Sequence, residues 1–252
     1  MPIKKKRLII LTSNHPFYSM DVIDKILNNN ECLTKYKIEI WSNKNQQQPT
    51  QKILTLFKQI KKSGFRYVIS KIKYIQTYKI KSKQDPNKYK IRSHFKQDNY
   101  YEFETIYDIP LPNKNDILLS LYYNSIIPND FLNKFKVKIN LHPSLIPSYK
   151  GASPVFWVLA NNEQITGFTF HELTKKIDCG EVLFQKEIKI DNNDTFHSLY
   201  KKISEHAGVS LSHFLIKGYF PEFPSNNHHE SYYSIPTKKA YLTFIKNGKR
   251  FI

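Results

Sequence analysis

The feature that most constrains the fold is the order of elements at the start of the chain. Residues 6–12 contain the uninterrupted apolar run Leu8-Ile9-Ile10-Leu11, followed by the polar loop SNHPFYS. Residues 19–29 then carry apolar positions at helical spacing, and YKIEIW at 36–41 is a second strand. This is a β-α-β opening, the unit from which α/β sheets are built. The basic start MPIKKKRLIILT resembles the beginning of a signal peptide. Its apolar run is short, however, and polar SNHP follows with no small-residue cleavage site, so a first buried strand is expected.

The alternation continues. Apolar residues near helical spacing predict helices over 50–62 (Ile53, Leu56, Phe57, Ile60) and 65–78 (Val68, Ile69, Ile72, Ile75). QDPNK at 84–88 is a turn. Strands are expected at 117–121 and at VKINLH (137–142), with a short helix from Pro128 to about Asn133 between them. A helix in PVFWVLANN and strands at about 165–172 and 182–190 follow. Residues 195–216 place Phe196, Leu199, Tyr200, Ile203, Ala207, Leu211, Phe214 and Leu215 on one stripe, with Asp194–Thr195 as N-cap region and Gly218 as stop. Two aromatic-rich pieces flank Pro236, and Pro221–Glu230 is the best linker. The expected organisation is a catalytic domain over 1–218, with a Lys-rich insertion at about 45–105, and a C-terminal appendage over 219–252.

At 252 residues, one α/β domain with an appendage can bury a core of ordinary size. No apolar run reaches the roughly 18–20 residues of a membrane span, so the expected compartment is the cytoplasm. Cys32 and Cys179 lie far apart without metal-ligand spacing, so neither a disulfide framework nor a metal site is expected. The formal net charge is +18, which attracts anions. Of that excess, 13 charges fall between Lys52 and Lys96, where 14 basic residues meet one acid, Asp85. Lysine interleaved with Tyr, Phe and Ile there is compatible with a nucleic-acid surface. A Lys-rich solvated helix face is the preferred reading, and no nucleic-acid partner is expected.

Three strand-to-loop junctions concentrate reactive groups. In Asn140-Leu-His142, residues i and i+2 at a strand end face the same side, so amide and imidazole can share one cleft. Ser148–Ser153 is a polar loop with Gly151 as a flexible hinge, and Lys176–Gly180 is a turn that carries Asp178. Acyl transfer to an amine needs a proton acceptor, a donor for the developing oxyanion and a group that orients the base. An imidazole, a carboxamide and a carboxylate meet those needs, and a nearby carboxylate raises a histidine's proton affinity. Taken singly, Asn140 and Asp178 read as hydrogen-bonded turn residues. His171 reads as a satisfied core or surface histidine, Cys179 as a small buried residue, His228-His229 as exposed loop and Trp157 as helix-to-sheet packing.

Taken together, NDILLSLYYNSIIP, INLHPSLIPSYKGASPVFWVL, GFTFHELTKKIDCGEVLFQKEIKI and DNNDT, in this order, resemble the folate-dependent formyltransferase family. The resemblance is firm over about a third of the chain, and 45–105 departs from it. It implies a doubly wound, Rossmann-like α/β domain with its site at the carboxyl ends of the strands, and 10-formyltetrahydrofolate as formyl donor. It places the catalytic asparagine, histidine and aspartate on Asn140, His142 and Asp178. It assigns the pterin pocket to Leu121–Ile127, with Leu121, Tyr122, Ser125 and Ile127, and to the loop Leu173–Ile177. Tyr149, Lys150 and Gly151 would border the acceptor.

The methionyl-tRNA enzymes of the family carry a sizeable RNA-binding barrel, whereas 74 residues follow Asp178 here. A short core with a long helix and a small Tyr/Pro-containing terminal element is similar to the sugar N-formyltransferases of the family, which implies as acceptor a nucleotide-linked amino sugar of the dTDP-4-amino-4,6-dideoxyglucose kind, used for O-antigen or related glycans. Asn14, His15, Tyr18 and Lys150 are candidates to hold its pyrophosphate, and a homodimer is expected. The alternatives are a methionyl-tRNA or other amine-directed formyltransferase, and a non-catalytic folate- or nucleic-acid-binding module.

Overall fold

The computed structural model describes residues 5–13, 18–44, 49–84, 99–223 and 229–252. Its strands are β1 (Lys6–Thr12), β2 (Tyr36–Asn43), β3 (Tyr100–Phe103), β4 (Ile117–Leu121), β5 (Val137–His142), β6 (Lys150–Gly151), β7 (Ile165–Glu172), β8 (Val182–Lys189) and β9 (Tyr232–Tyr233). Its α-helices are α1 (Ser19–Leu27), α2 (Asn30–Lys35), α3 (Pro49–Ser63), α4 (Phe65–Gln84), α5 (Asn129–Leu132), α6 (Pro154–Ala160), α7 (Phe196–Lys217) and α8 (Lys238–Lys246).

Seven strands form one sheet in the order β3-β2-β1-β4-β5-β7-β8. The pairs from β3 to β5 are parallel, while β7 and β8 run antiparallel at the other end. Helices cover both faces. Leu8 and Ile10 belong to the core under α1, α6 and α7, whereas Ile9 and Leu11 join Trp41, Phe103, Leu118 and Phe131 on the opposite face. A strand buried on both faces has no polar side, which is why β1 reads as a continuous apolar run. The order reverses between β1 and β4, and such a switch point opens a crevice at the carboxyl ends of the strands.

The expected doubly wound α/β architecture is present, and β1, β4, β5 and β7 occupy the expected residues. Several short elements, α2 and β3 among them, have no counterpart in the sequence reading. The six-residue α2 is too short to show a period; it is held by the Asn29 side chain, which accepts from the Glu31 and Cys32 amides. The edge strand β3 is four residues of aromatic and acidic character whose Tyr101 stacks on Trp41. Helix α7 starts at the Thr195 capping box and ends at Gly218, whose φ of 86° is the left-handed cap. Residues 85–88 of the turn QDPNK and part of the segment Pro221–Glu230 fall outside the described residues, while Gln84 ends α4.

The C-terminal residues pack into the main body. Tyr241, Phe244 and Phe251 are buried in the same core as Phe156 of α6. The Arg250 and Phe251 carbonyls accept from the Phe196 and His197 amides, which satisfies donors at the start of α7. Strand β9 pairs with β6. Among the described residues, no helix is long and apolar enough to cross a membrane.

Candidate active site

The crevice at the carboxyl ends of β4 and β5 is a cleft of about 480 Å³, in the range of small-molecule sites. Its walls come from the loop after β4 (Tyr122 to Ile127), the end of β5 (Asn140 to Pro143), Gly151 to Pro154, and the loop between β7 and β8 (Leu173 to Asp178).

Register explains which groups meet. On β5, Asn140 lies beside Ser120 of β4 and His171 of β7. The Asn140 Nδ2 is 3.0 Å from His171 Nε2, and His171 Nδ1 is 2.9 Å from the Glu172 carbonyl. A carbonyl only accepts, so Nδ1 carries the proton and Nε2 accepts from the Asn140 amide. That bond fixes which end of the amide is nitrogen. A register shift in the β7–β8 pairing falls between Phe170 and His171, at the residue that faces the site.

Two residues further along β5, His142 is 4% exposed. Its Nε2 donates to the Tyr149 carbonyl at 2.9 Å, so the bare nitrogen is Nδ1, which lies 3.4 Å from Asp178 Oδ2. The other oxygen of Asp178 is 3.5 Å from His171 Nε2, and Oδ2 also accepts from the Gly151 amide at 2.8 Å. Burial pushes the His142 pKa down; the Asp178 carboxylate and the Tyr149 carbonyl oppose this without reversing it. The carboxylate effect expected from sequence is present but is outweighed by desolvation. Burial also opposes ionisation of Asp178. There the interactions with His171 and His142 and the hydrogen bond from the Gly151 amide outweigh it, and the carboxyl is held below its ordinary value. Near neutrality the pair is a neutral imidazole facing a carboxylate.

The backbone around these groups is unusual. Tyr122, Ser153 and Asp178, at φ of 55°, 57° and 50°, are three of the five non-glycine residues with positive φ among those described, and all three line the cleft. A fourth, Tyr149, supplies the carbonyl that holds His142. Gly151 is not a hinge. It sits at φ 92° in the β6–β9 bridge, and a Cβ there would lie 2.3 Å from the Tyr233 carbonyl oxygen.

The other expected site residues divide into three groups. Tyr122, Ser125, Ile127, Leu173, Ile177 and Gly151 line the cleft, whereas Leu121 packs into the core behind it. Tyr149 and Lys150 flank it. The Tyr149 hydroxyl donates to Glu163 and its ring stacks on Tyr233, while the Lys150 ammonium pairs with Glu230 at 2.8 Å and lies 3.8 Å from the Cys179 sulfur. Tyr18 is buried, stacked on Tyr200 and hydrogen-bonded to Tyr74 and His197; Asn14 and His15 lie outside the described residues. Cys179 is exposed rather than buried, because the turn points it outward beside Lys150. Trp157 packs on Tyr233 and also donates to the Ser234 carbonyl. His171 is the satisfied, buried histidine that was expected, but its place in the cleft was not read: β7 sets it directly opposite Asn140, and register across an antiparallel pair is not visible in one strand.

The sequence pattern of the family described as formyl transferase matches residues 19–215. The chain is 52% identical over 91 residues to the bifunctional polymyxin resistance protein ArnA of Wigglesworthia glossinidia brevipalpis, a match that covers 36% of this chain and 14% of that protein. It is 36% identical over 121 residues to GDP-perosamine N-formyltransferase of Brucella melitensis, which covers 48% of this chain and 44% of that one. It therefore spans less than half the length of these two curated relatives. An N-formyltransferase from Helicobacter canadensis, solved with folinic acid and dTDP-3-aminofucose, superposes with a TM-score of 0.56 at 22% identity, over 91% of this chain and 71% of that one, which shows a common fold.

Proposed function

The chain belongs to the formyl transferase family, and from that membership we propose that it transfers a formyl group from 10-formyltetrahydrofolate to the amine of a nucleotide-linked amino sugar. The observation that carries this reading is the cluster at the end of β5. An amide with fixed orientation, a buried neutral imidazole and an ionised carboxylate share one cleft.

The cleft suits the donor. Ile127, Leu132 and Leu173 give it apolar walls, and two loops bring backbone polar groups to the same space. A flat heteroaromatic ring needs this combination, and Lys175 and Lys176 at the rim suit a carboxylate tail. When bound, the donor supplies a formyl group activated on nitrogen. Asn140 spends one N–H on His171 and keeps the other for the formyl oxygen as charge develops there. His142 takes the amine proton on Nδ1 as the amine attacks the formyl carbon, and that proton passes on to the donor nitrogen as its bond to the carbon breaks; Asp178, 3.4 Å away, balances the charge in between. Holding both substrates against these groups lowers the barrier by positioning.

The sugar-nucleotide acceptor is supported by the GDP-perosamine enzyme among the relatives and by the positive charge of the chain. A dTDP-4-amino-4,6-dideoxyhexose destined for O-antigen or a related glycan is the specific acceptor we propose. The test is a turnover assay that pairs 10-formyltetrahydrofolate with dTDP- and GDP-linked amino sugars, with initiator methionyl-tRNA as comparison. Formamide production on a nucleotide sugar is expected. Formylation of the tRNA alone would replace this acceptor with RNA, and absence of turnover with every amine would sink the catalytic reading.

A further inference from the structure

Two segments far apart in sequence share an unusual composition. Residues 53–80 hold seven lysines and arginines and residues 231–252 hold five, and neither segment contains an acid. The fold packs them together. Helix α8 sits against α3 and α4; the Ser70 and Tyr241 hydroxyls are 2.8 Å apart, Ser63 donates to the Pro236 carbonyl, and Lys62 reaches the Ser234 hydroxyl. The two cation-rich, acid-free segments therefore share one region of the surface.

That face is also apolar. Of the twenty exposed large apolar side chains among the described residues, twelve lie in these two segments, which make up a fifth of the chain. Phe57 and Phe65 are each 64% exposed, and Leu54 is 59% exposed. At 100° per residue, Ile53, Phe57 and Leu54 share one side of α3 with Lys61, and Lys58 follows at its margin. Beside α8, Leu242 and Ile245 line a groove of about 500 Å³ that also contains Arg66 and Lys246. Single exposed apolar residues need no explanation, but a cluster of this size does.

We propose that this face docks the protein on an anionic phospholipid bilayer, with α3 lying in the interface. Each part of the surface has a use there. Phenylalanine, leucine and isoleucine enter the acyl boundary, while lysine and arginine meet lipid phosphates at the same depth. Other occupants leave one half of the surface unused. A nucleic acid engages the cations but offers nothing to Leu54 or Ile53. A second copy of this face brings twelve more cations and no acid, so like charges oppose each other.

The experiment is co-sedimentation of the full chain with vesicles of phosphatidylcholine alone, and of phosphatidylcholine with phosphatidylglycerol in equal parts. Binding to the mixed vesicles, weakened by salt, with none to the neutral ones, is the expected result. Leu54→Ser with Phe57→Ser should cut partition at least roughly tenfold. Lys58→Gln with Lys61→Gln should cut it by roughly twenty-five-fold, about fivefold per cation. Formyl transfer and the circular dichroism melt should stay unchanged in both variants, which separates docking from folding and from the proposed activity. Three results would overturn the idea: no partition onto the mixed vesicles, tighter binding of single-stranded RNA that survives the apolar substitutions, or a dimer in sedimentation velocity that those substitutions dissociate.

Discussion

His171→Phe isolates the orienting role of a residue that need not touch either substrate. The ring nitrogen removed accepts from Asn140 Nδ2 at 3.0 Å and approaches Asp178 Oδ1 at 3.5 Å. The first is a neutral hydrogen bond of good length, with a net value of about 1 kcal/mol; the second sets two acceptors side by side and adds no bond. Without the first, the amide is free to present oxygen where nitrogen is needed. A combined loss of about 1–2 kcal/mol corresponds to a roughly 5–30-fold fall in kcat, with KM little changed, because the interaction is realised as charge develops. Asn140→Ala removes the donor itself and should cost roughly a hundredfold or more. The decisive measurement is the cycle. If His171 acts through Asn140, the double variant should be no slower than Asn140→Ala within about twofold. Additive losses would show that His171 contributes independently, and wild-type kcat in His171→Phe would refute the orienting role outright.

Four further outcomes follow from the same geometry. His142→Asn and Asp178→Asn should each abolish nearly all turnover while folate binding, measured by fluorescence quenching, persists; near-normal kcat in the histidine variant would remove it from proton transfer. The acid limb of kcat/KM should have its midpoint below 6.5, the ordinary histidine value, because the folded His142 pKa is depressed by burial and the neutral form is required. For His142 and Asp178 alike the folded pKa lies below the unfolded one. Their contribution to stability is thus present above the unfolded values and lost as pH falls, and Tm should decline on the same side. Gly151→Ala forces a Cβ to 2.3 Å from the Tyr233 oxygen at φ 92° and should cost at least about 2 kcal/mol, or roughly 4–8 °C in Tm by calorimetry.

How much of this was legible in the sequence follows from the range of each signal. Leu8 to Leu11 and Ile117 to Leu121 announce buried strands because the cause, burial on both faces, acts on consecutive residues. Asn140 and His142 were legible as a pair for the same reason: two positions apart on one strand share a side whatever that strand pairs with. The departures all depend on a partner distant in sequence. His171 reaches the cleft only because β7 sets it opposite Asn140. Gly151 looks like a hinge until Tyr233, 82 residues on, closes over it. The carboxylate's upward pull on the His142 pKa is legible from sequence and present, but the net direction is not, because burial is a property of the whole packed cleft. Local chemistry therefore names the proposed reacting groups, and tertiary pairing sets their orientation and protonation. Substitutions at the reacting groups should accordingly remove activity at every pH, whereas substitutions at His171 should grade it. A His171 variant as dead as one at His142 would break that division.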